Sequence, residues 1–374
     1  MPIDKDLWDC FISIEERKGD ATKRAQNICS DFLGEAWNSQ EFKVEKISGG
    51  MTNLVFKCSI PEGSSHPHMA LLRVQCDKDV MQLQNELIIF MKLAEHGLGP
   101  KLLGVFSGGR LEEFIHSRTL TYEETRDPKY SSLVAQTMAK IHQVDVPLSV
   151  KSQMIPTMRQ WVDRIHKNGG DEFDLWSKNA GVPKETFPAT ISLESMRQEI
   201  DRIEKYLENN ESPCRLTHND LYATNILLRD CCPEGENPIV IIDFEFGMYN
   251  YRGFDIGNHL NELGMTYFEE MPTYSMDLVK LTDKSLHKTY CESYLRQTYD
   301  HIKKKNLSFE TERLSGHMDR DIVILEQEAG AFQAIANYWW GLWNIVCDQE
   351  GIVGMDFYNA FRDRIALYYY LKNF

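Results

Sequence analysis

Residues 216–228 read LTHNDLYATNILL, in which a short polar run separates two apolar segments. The polar run contains His218 and Asp220, and Asn225 follows the acid by five residues. The apolar segments predict two short strands, so the polar residues would lie in the loop that joins them. Loops held by a rigid scaffold commonly carry the reactive groups of a protein, and this loop is therefore the first candidate site.

A second polar group follows the next apolar strand along the chain. The segment IVIIDFEF (239–246) places Asp243 and Glu245 directly after that strand. Carboxylate and amide oxygens suit Mg²⁺, which usually takes one or two protein carboxylates together with substrate phosphates and water. The pattern therefore predicts that Asp243, with Asn225 from the first loop, can hold a magnesium ion.

The order of these groups is typical of phosphoryl transfer by kinase folds. There an Asp accepts the proton of the substrate hydroxyl, while an Asn five residues later and the Asp of the next strand end hold the metal. The protein-kinase patterns H-R-D-x-x-x-x-N and D-F-G correspond here to His218-Asn219-Asp220 with Asn225, and to Asp243-Phe244-Glu245. Either motif alone could be a capped turn without chemistry, but the two in this order favour a kinase.

The N-terminal part of the chain fits the nucleotide-binding half of the same scheme. Strands are predicted at 42–48, 53–60, 69–74, 101–107 and 109–115, and helices at 22–37 and 80–96. A kinase needs a glycine turn over the phosphates, a cation on the third strand and a helix glutamate that holds the cation. Gly49-Gly50, Arg73 and Glu86 occur in that order.

This half departs from a protein kinase in two details. The glycine turn is not G-x-G-x-x-G, and the cation is Arg73 instead of Lys. Arginine is always charged and can bind phosphate through two nitrogens, so the role survives the exchange. Taken singly, Gly49-Gly50 could be a plain hairpin turn, Arg73 a surface strand residue and Glu86 a solvated helix charge.

The C-terminal part is rich in helices. They are predicted at 128–143, 151–167, 190–209, 256–268, 276–304 and 318–347, interrupted by strands at 214–218, 225–228 and 238–243. A β-rich part followed by a helix-rich part predicts an α+β, two-lobed, protein-kinase-like fold. We expect an N-terminal lobe over 1–115, with an antiparallel sheet, one helix and the ATP site, and a C-terminal lobe over 116–374 with the catalytic loop.

Composition excludes several classes of partner. The net charge of -15 argues against a nucleic-acid-binding protein. The nine cysteines show no zinc-type spacing and are expected as free thiols in a reducing cytosol. The first ten residues lack the features of a signal peptide, and the apolar runs are too short to cross a bilayer. We therefore expect a cytoplasmic protein without a transmembrane segment.

Several longer stretches resemble the choline/ethanolamine kinase family from about Ile47 to the C-terminus. They are SGGMTNLVFKCS (48–59), LLRV (71–74), LGPKLLGVF (98–106), GRLEEFIHSRTL (109–120), HNDLYATNILL (218–228), IIDFEFGMYNYRGFDIGNHLNE (241–262) and YWWGLWNIV (338–346). The resemblance implies phosphorylation of choline or ethanolamine with ATP and Mg²⁺, in phospholipid synthesis. It also implies a cytosolic homodimer.

The resemblance also assigns roles to single residues. It makes Asp220 the base and Asn225 and Asp243 the metal ligands, with Glu245 beside the metal or the substrate. It directs Arg73 and the turn Gly49, Gly50, Met51, Thr52 and Asn53 toward the ATP phosphates and pairs Glu86 with Arg73. The peptide groups from Glu113 to Ile115 would face the adenine. Asp255 would brace the catalytic loop, although a helix N-cap would also explain an Asp there.

A separate set of residues is implied for the amino-alcohol head group. A quaternary ammonium has no N–H to donate and is best held by aromatic faces near a negative charge. The segment YWWGLW (338–343) carries three of the seven tryptophans. The resemblance assigns the pocket to Trp340, Trp343, Tyr267 and Glu262, whereas without it a Trp cluster on a helix indicates a core. The last aromatic of the pocket is left open among Phe357, Tyr358 and Phe361.

Some positions depart from choline kinases and leave the preferred substrate open. Leu263 stands where many have Trp, Phe246 where Tyr is common, and HNDLYATN replaces the commoner HNDCQEGN and starts as ethanolamine kinases do. The first alternative is therefore an ethanolamine-preferring kinase. A pseudokinase or scaffold and an antibiotic phosphotransferase are further alternatives, but the filled catalytic positions argue against the former, and NYRGFDIGNH and the Trp cluster against the latter. No A-P-E motif follows Asp243, which argues against protein substrates. Residues 1–40 carry no readable signal.

Overall fold

The computed structural model describes residue 11 and residues 18–49, 53–75, 80–176, 179–210 and 212–374. Gly50, Met51 and Thr52, which were predicted for the phosphate-facing turn, lie outside the described residues. The chain divides into two compact units. The N-terminal unit comprises Met1–Ser117 and Arg229–Cys231, and the C-terminal unit comprises Arg118–Leu228 and Cys232–Phe374.

The N-terminal unit is built on an antiparallel sheet with the strand order β1-β2-β3-β5-β4. Its strands are β1 (Lys43–Gly49), β2 (Asn53–Ser59), β3 (Met69–Gln75), β4 (Leu102–Phe106) and β5 (Gly109–Glu113). Its helices are α1 (Lys18–Leu33), α2 (Ala36–Ser39) and α3 (Val80–Glu95).

The core of the N-terminal unit follows from two sequence periods. Leu54, Phe56 and Cys58 alternate along β2 and are buried, as expected for a strand with one face on the core. Ala21, Ala25 and Cys29 recur every four residues along α1 and belong to the same buried cluster. The small residues of α1 thus pack with the larger side chains of the sheet.

The C-terminal unit is mainly helical. Its helices are α4 (Tyr122–Arg126), α5 (Pro128–Ile141), α6 (Met154–Lys167), α7 (Leu193–Glu208), α8 (Arg252–Glu262), α9 (Leu278–Leu281), α10 (Lys284–Lys305), α11 (Met318–Gln349) and α12 (Phe357–Leu371). The 32-residue α11 is buried on nearly all sides over its C-terminal half and is the axis of the main core cluster. A helix that is apolar all round belongs in the interior of a large protein, which explains this position.

Short strands complete the C-terminal unit. They are β6 (Ser117–Thr119), β7 (Glu172–Asp174), β8 (Thr190–Ser192), β9 (Cys214–Thr217), β10 (Ile226–Arg229), β11 (Ile239–Ile241), β12 (Met248–Tyr251), β13 (Met265–Tyr267) and β14 (Tyr274–Met276). They form the sheets β11-β10-β6, β12-β9, β13-β14 and β7-β8. Within the described residues, no helix combines the length and the hydrophobicity needed to cross a membrane.

Several predicted helices differ from the structure. The helix predicted at 22–37 is divided into α1 (Lys18–Leu33) and α2 (Ala36–Ser39), and the helix predicted at 151–167 begins at Met154. The helix predicted at 256–268 begins at Arg252 and ends at Glu262, so Asp255 lies in its first turn and is not its N-cap. The helix predicted at 276–304 is two helices, because the Asp283 side chain accepts from two backbone N–H groups and starts a new one. The helix predicted at 190–209 begins only at Leu193, where Ser192 caps it. Helix α12 was not predicted.

Candidate active site

Strand pairing brings the two polar loops together in the C-terminal unit. Thr217 at the end of β9 pairs with Met248 at the start of β12. Ile226 at the start of β10 pairs with Ile241 at the end of β11. The loop 218–225 joins β9 to β10, and the loop 242–247 joins β11 to β12. Both loops therefore begin and end at paired strands and lie side by side. Backbone contact confirms their proximity, because the Ile242 N–H donates to the Asn225 carbonyl at 3.0 Å.

Asp255 holds the backbone of the first loop. Its carboxylate accepts the N–H of His218 at 2.9 Å and the N–H of Asn219 at 2.8 Å. It also accepts from His142 Nε2 at 2.9 Å. Burial alone would raise the pKa of Asp255, but these donors outweigh burial and hold that pKa below its usual value. Asp255, which lies on helix α8, thus fixes the start of the loop 218–225.

The hydrogen bonds of His218 fix its tautomer. Its Nδ1 accepts the N–H of Asp220 at 3.2 Å, so Nδ1 carries no proton. Its Nε2 lies 2.8 Å from the carbonyl of Ile242 and must donate to it. Burial lowers the pKa of His218, which keeps the ring neutral. The neutral ring therefore joins the two loops and holds the backbone N–H of Asp220.

Asn219 closes the connection between the loops. Its side-chain N–H₂ donates to the carbonyl of Phe246 at 2.8 Å. Its φ of 67° lies in the left-handed region, as does the φ of 68° at Asp243. Side chains other than glycine rarely adopt that conformation, and such strain of about 1–3 kcal/mol concentrates at functional sites. One left-handed residue therefore lies in each of the two loops.

Asp220, Asn225 and Asp243 are the predicted catalytic and metal-binding residues, and all three lie in these loops. The Asn225 side chain donates to the backbone carbonyl of Asp220 at 3.0 Å, so the amide also shapes the loop. Burial raises the pKa of Asp220 well above its usual value, and the charges of Glu262, Glu245 and Asp243 raise it further. The structure thus places several carboxylates within electrostatic reach of one another.

A group of neighbouring carboxylates with one amide has the oxygen ligands that a hard cation prefers. Like charges in a buried site repel one another, and a bound Mg²⁺ would relieve that repulsion. In the part of the chain that the structure describes, no three His, Cys, Asp or Glu residues are arranged to hold a metal by themselves. A magnesium ion bound by Asp243, Asn225 and the phosphates of a nucleotide needs no such group.

Glu262 and Tyr267, both predicted for the head-group pocket, lie in a buried network with Arg364. The Tyr267 hydroxyl donates to Glu262 Oε2 at 2.9 Å, and Arg364 Nη2 donates to Glu262 Oε1 at 2.6 Å. Burial raises the pKa of Tyr267 well above its usual value, and the charge of Glu262 adds to the shift. Sequence analysis missed Arg364 because it did not recognise helix α12.

The predicted tryptophans differ in their surroundings. Trp340 is 9% exposed, and its Nε1 donates to Asn258 on α8 at 2.9 Å. Phe246 lies between the two indoles, with ring centroids 5.2 Å from Trp340 and 6.1 Å from Trp343. Trp339, the third of the cluster, is a core residue that packs on Phe254. Trp339 and Trp340 both belong to the main core cluster, and Phe246 contacts Trp340 and Trp343, the two residues predicted for the pocket.

The other aromatic candidates are spread over two places. Tyr267 packs with Tyr222 and Tyr122 at centroid distances of 5.6 and 6.4 Å. Phe361 is fully buried against Phe173, and Phe357 is nearly buried. Tyr358 lies under the Arg362 guanidinium, 4.2 Å from ring centroid to Cζ. These contacts leave the choice among Phe357, Tyr358 and Phe361 open.

The predicted phosphate-binding Arg73 belongs to a buried charge network in the N-terminal unit. Arg73 Nε donates to Glu112 Oε1 at 2.6 Å, and Arg110 Nε donates to the same oxygen at 2.8 Å. Arg110 Nη1 also lies 2.9 Å from Glu86 Oε1. These contacts join Glu86 to Arg110 and Arg73 to Glu112, whereas the direct Arg73–Glu86 pair stays a prediction. Sequence analysis missed Arg110 and Glu112, whose alternation along β5 was the available signal.

Burial and the neighbouring charges shift the pKa of Glu112 in opposite directions. Burial alone would raise its pKa, but the charges of Arg73 and Arg110 outweigh burial and lower it. One carboxylate thus orients two guanidinium groups, and Glu86 supplies a second carboxylate to the same network. At the end of β5, the Glu113 N–H donates to the Lys101 carbonyl at 2.8 Å, and Ser117 Oγ donates to the Ile115 carbonyl at 3.0 Å.

Comparison with known proteins agrees with this geometry. The family model described as choline/ethanolamine kinase matches residues 44–369. A choline/ethanolamine kinase from Homo sapiens is 32% identical over 364 residues, which cover 94% of this chain and 87% of the relative.

Solved structures show the same fold. A choline kinase from Cryptosporidium parvum has a TM-score of 0.69 at 22% identity, covering 93% of this chain and 94% of that chain. An ethanolamine kinase from Plasmodium vivax has a TM-score of 0.68 at 21% identity, covering 92% and 87%. The predicted α+β kinase-like fold, with a small sheet part and a larger helical part, is confirmed. The chain belongs to the choline/ethanolamine kinase family.

Proposed function

We propose that this protein transfers the γ-phosphoryl group of ATP to the hydroxyl of choline, giving phosphocholine and ADP, and that it also accepts ethanolamine. The observation that carries the proposal is the joining of two loops that present Asp220, Asn225 and Asp243 at paired strand ends. Membership of the choline/ethanolamine kinase family supports the amino-alcohol acceptor. The product would enter phospholipid synthesis.

Asp220 is the proposed base. As the hydroxyl oxygen forms its bond to the γ-phosphorus, the bond from that phosphorus to the bridging oxygen of ADP breaks, and Asp220 takes the hydroxyl proton. His218 and Asp255 act on the loop backbone and keep Asp220 in place. Asn225 and Asp243 would hold Mg²⁺, which supplies positive charge beside the transferred group.

The N-terminal unit is proposed to bind the nucleotide. Arg73, held by Glu112, is the proposed donor to phosphate oxygens, together with the predicted glycine turn, which is flanked by Gly49 at the end of β1 and Asn53 at the start of β2. Glu86 supports this arrangement through Arg110. The backbone from Glu113 to Ile115 follows β5 and is the proposed contact of the adenine.

The C-terminal unit is proposed to bind the amino alcohol. Trp340 and Trp343, with Phe246 between them, offer aromatic faces to a quaternary ammonium. Glu245, Glu262 and Tyr267 are proposed to add polar groups near Asp220. Besides burial, the charges of Glu262 and Glu245 raise the pKa of Asp220, and the charges of Glu262 and Asp220 raise the pKa of Tyr267, which supports their proximity. Assembly as a homodimer and a cytoplasmic location are proposed from the resemblance alone.

The test is phosphate transfer by the purified protein from ATP and Mg²⁺ to choline and, separately, to ethanolamine. We expect transfer to both, with choline preferred, and a loss of at least about 10³-fold in kcat for Asp220→Asn. Asp230→Asn is the matched control, since Asp230 also follows a short strand, β10, but is exposed. Transfer mainly to ethanolamine would reverse the preference, and transfer to neither would leave a binding protein without kinase activity.

A further inference from the structure

Arg364 is a buried cation in the immediate surroundings of the proposed head-group pocket. Its side chain is 5% exposed and that of Glu262 is 6% exposed. Arg364 Nη2 donates to Glu262 Oε1 at 2.6 Å and to the Tyr267 hydroxyl at 3.1 Å. Its other terminal nitrogen, Nη1, donates to Asn337 Oδ1 at 3.2 Å. Helix α12 thus brings a guanidinium against two residues that the head group would otherwise meet.

The helix geometry places this ion pair next to the indole of Trp340. Asn258 and Glu262 are one turn apart on α8, and Asn337 and Trp340 are about one turn apart on α11. Asn258 binds Trp340, while Glu262 and Asn337 both bind Arg364. The two contacts therefore lie one turn apart along the same pair of helices.

The ion pair changes what Glu262 can offer to a substrate. A carboxylate has about four acceptor positions, and here Arg364 and Tyr267 take one on each oxygen. The Glu262–Arg364 pair is also neutral as a whole, which weakens the attraction of Glu262 for any cation. That loss of attraction applies equally to choline and to ethanolamine, because each carries one positive charge.

The two substrates differ in hydrogen bonding. The ammonium of ethanolamine brings three N–H donors that lose their water on binding and need new acceptors. The trimethylammonium of choline brings none and needs only aromatic faces. When Arg364 occupies acceptors of Glu262 and Tyr267, ethanolamine therefore loses hydrogen-bond partners and affinity, whereas choline does not.

We propose that Arg364 is a specificity-determining residue, which disfavours ethanolamine relative to choline by occupying the acceptors of Glu262 and Tyr267. It acts through these two residues and is not itself catalytic. The inference rests on the proposed function and adds the physical origin of the preference for choline. Sites built to satisfy polar groups discriminate strongly once those groups are left unpaired, so one residue can carry such an effect.

The test compares kcat/KM for choline with kcat/KM for ethanolamine in Arg364→Met. We expect the choline-to-ethanolamine ratio to fall about tenfold through a lower KM for ethanolamine, and a fall of about threefold or more supports the proposal. A smaller change, or a rise, overturns it. A merely structural role of Arg364 would reduce both activities together and leave the ratio unchanged.

A second variant keeps the proposal testable where Arg364→Met does not fold, since that change leaves Glu262 buried without its partner. Glu262→Gln combined with Arg364→Met removes both charges and leaves an amide oxygen at position 262 and the Tyr267 hydroxyl as acceptors. Because the loss of charge applies equally to choline and ethanolamine, we again expect the choline-to-ethanolamine ratio of kcat/KM to fall by about threefold or more. A ratio that stays the same or rises in this double variant would overturn the proposal.

The matched control is the buried pair of Arg252 and Glu328, in which Nη2 and Oε2 are also 2.6 Å apart. Arg252→Met combined with Glu328→Gln should leave the choline-to-ethanolamine ratio unchanged. An equal change of the ratio in this control would assign the effect to general loosening and overturn the proposal. If the unchanged protein transfers phosphate to neither alcohol, the proposed function fails and this inference fails with it, whereas an unaltered ratio in an active Arg364→Met sinks only the inference.

Discussion

Single side chains of the tryptophan cluster have different surroundings, although they are neighbours in sequence. Trp340 lies against Phe246 and binds Asn258, while Trp339 packs on Phe254 and Trp161. Both are largely buried, so burial alone does not distinguish a pocket residue from a core residue. The distinction lies in which neighbours each indole touches.

We expect Trp340→Phe to raise the KM for choline about five- to tenfold, because phenylalanine binds a cation more weakly than tryptophan by about 1 kcal/mol. Trp339→Phe is the matched control and should lower the melting temperature while leaving that KM unchanged. The measurement is steady-state kinetics with choline, beside thermal unfolding of both variants. Equal KM changes in the two variants would count against a pocket at Trp340.

Asp255 provides a prediction for stability against pH. Its pKa is lowered in the folded protein, so the folded state holds this proton more weakly than the unfolded chain. Its stabilising contribution is therefore complete above the unfolded pKa of about 3.9 and is lost as the pH falls through the lower folded pKa. Asp255→Asn should cost about 3 kcal/mol at pH 7, and the difference from the unchanged protein should shrink below about pH 4.

The measurement is denaturant unfolding of both proteins from pH 7 down to pH 3. Asp277→Asn is the control, because Asp277 also accepts two backbone N–H groups but lies at an exposed helix start away from the loops. It should retain full phosphate transfer, whereas Asp255→Asn should lose it by at least about tenfold. A stability difference between the two proteins that stays constant across this pH range would show that ionised Asp255 does not stabilise the fold.

The helix α8 connects the catalytic loop to the core, and its glycines explain how closely it can approach α11. A Cβ on Gly257 would lie 2.6 Å from the Gln333 nitrogen and 2.8 Å from the Ala329 carbonyl oxygen. Backbone atoms cannot move aside as a flexible side chain can. The stretch NYRGFDIGNH therefore combines a close helix contact with Asp255, which braces the loop.

Gly257→Ala should destabilise the protein by about 3 kcal/mol, since the clash outweighs the roughly 1 kcal/mol that alanine contributes to a helix. It should also reduce phosphate transfer, because Asn258 and Glu262 move with the helix. Gly330→Ala is the control on α11, where a Cβ would meet nothing within 4 Å. That variant should gain up to about 1 kcal/mol in unfolding free energy, and a loss equal to that of Gly257→Ala would refute the argument.

Sequence patterns predicted the elements with strong periodicity and failed where one side chain sets a boundary. The strands of the N-terminal sheet were found within one or two residues, because each is a short, mostly apolar run bounded by glycine- or proline-containing segments. The break before α10 was missed, because only the Asp283 cap interrupts an otherwise continuous helical pattern. Helix α12 was not predicted, although its buried face is long. Arg364 lies on this helix and was therefore not predicted either.

The polar residues of the site were predictable, but their partners were not. Asp220, Asn225 and Asp243 could be proposed from spacing and strand ends, whereas the pairing of Glu86 on α3 with Arg110 on β5 depends on how the helix packs on the sheet. Arg73 and Arg110 face each other across β3 and β5, and that register is not written in either strand alone. Long-range pairing is thus the information that a local pattern lacks.

The two units divide the proposed work, and a binding measurement can test both. ATP should raise the melting temperature of the protein through contacts such as those of Arg73, and Mg²⁺ should add to the rise through Asn225 and Asp243. A ligand at a hundredfold excess over its Kd adds about 2.7 kcal/mol to the free energy of unfolding, which is ample for detection. The comparison is thermal unfolding with ATP and Mg²⁺ against ATP with a chelator.

Asp243→Asn should lose the magnesium-dependent part of that rise and retain the part that ATP causes alone, because its carboxylate charge is what holds the ion. Asp230→Asn, with a carboxylate that is exposed after β10, should behave as the unchanged protein. This readout needs no turnover, so it separates binding from chemistry. A magnesium effect that persists in Asp243→Asn would move the ion to other ligands, while Asp220 would keep its role as long as Asp220→Asn binds the nucleotide and transfers no phosphate.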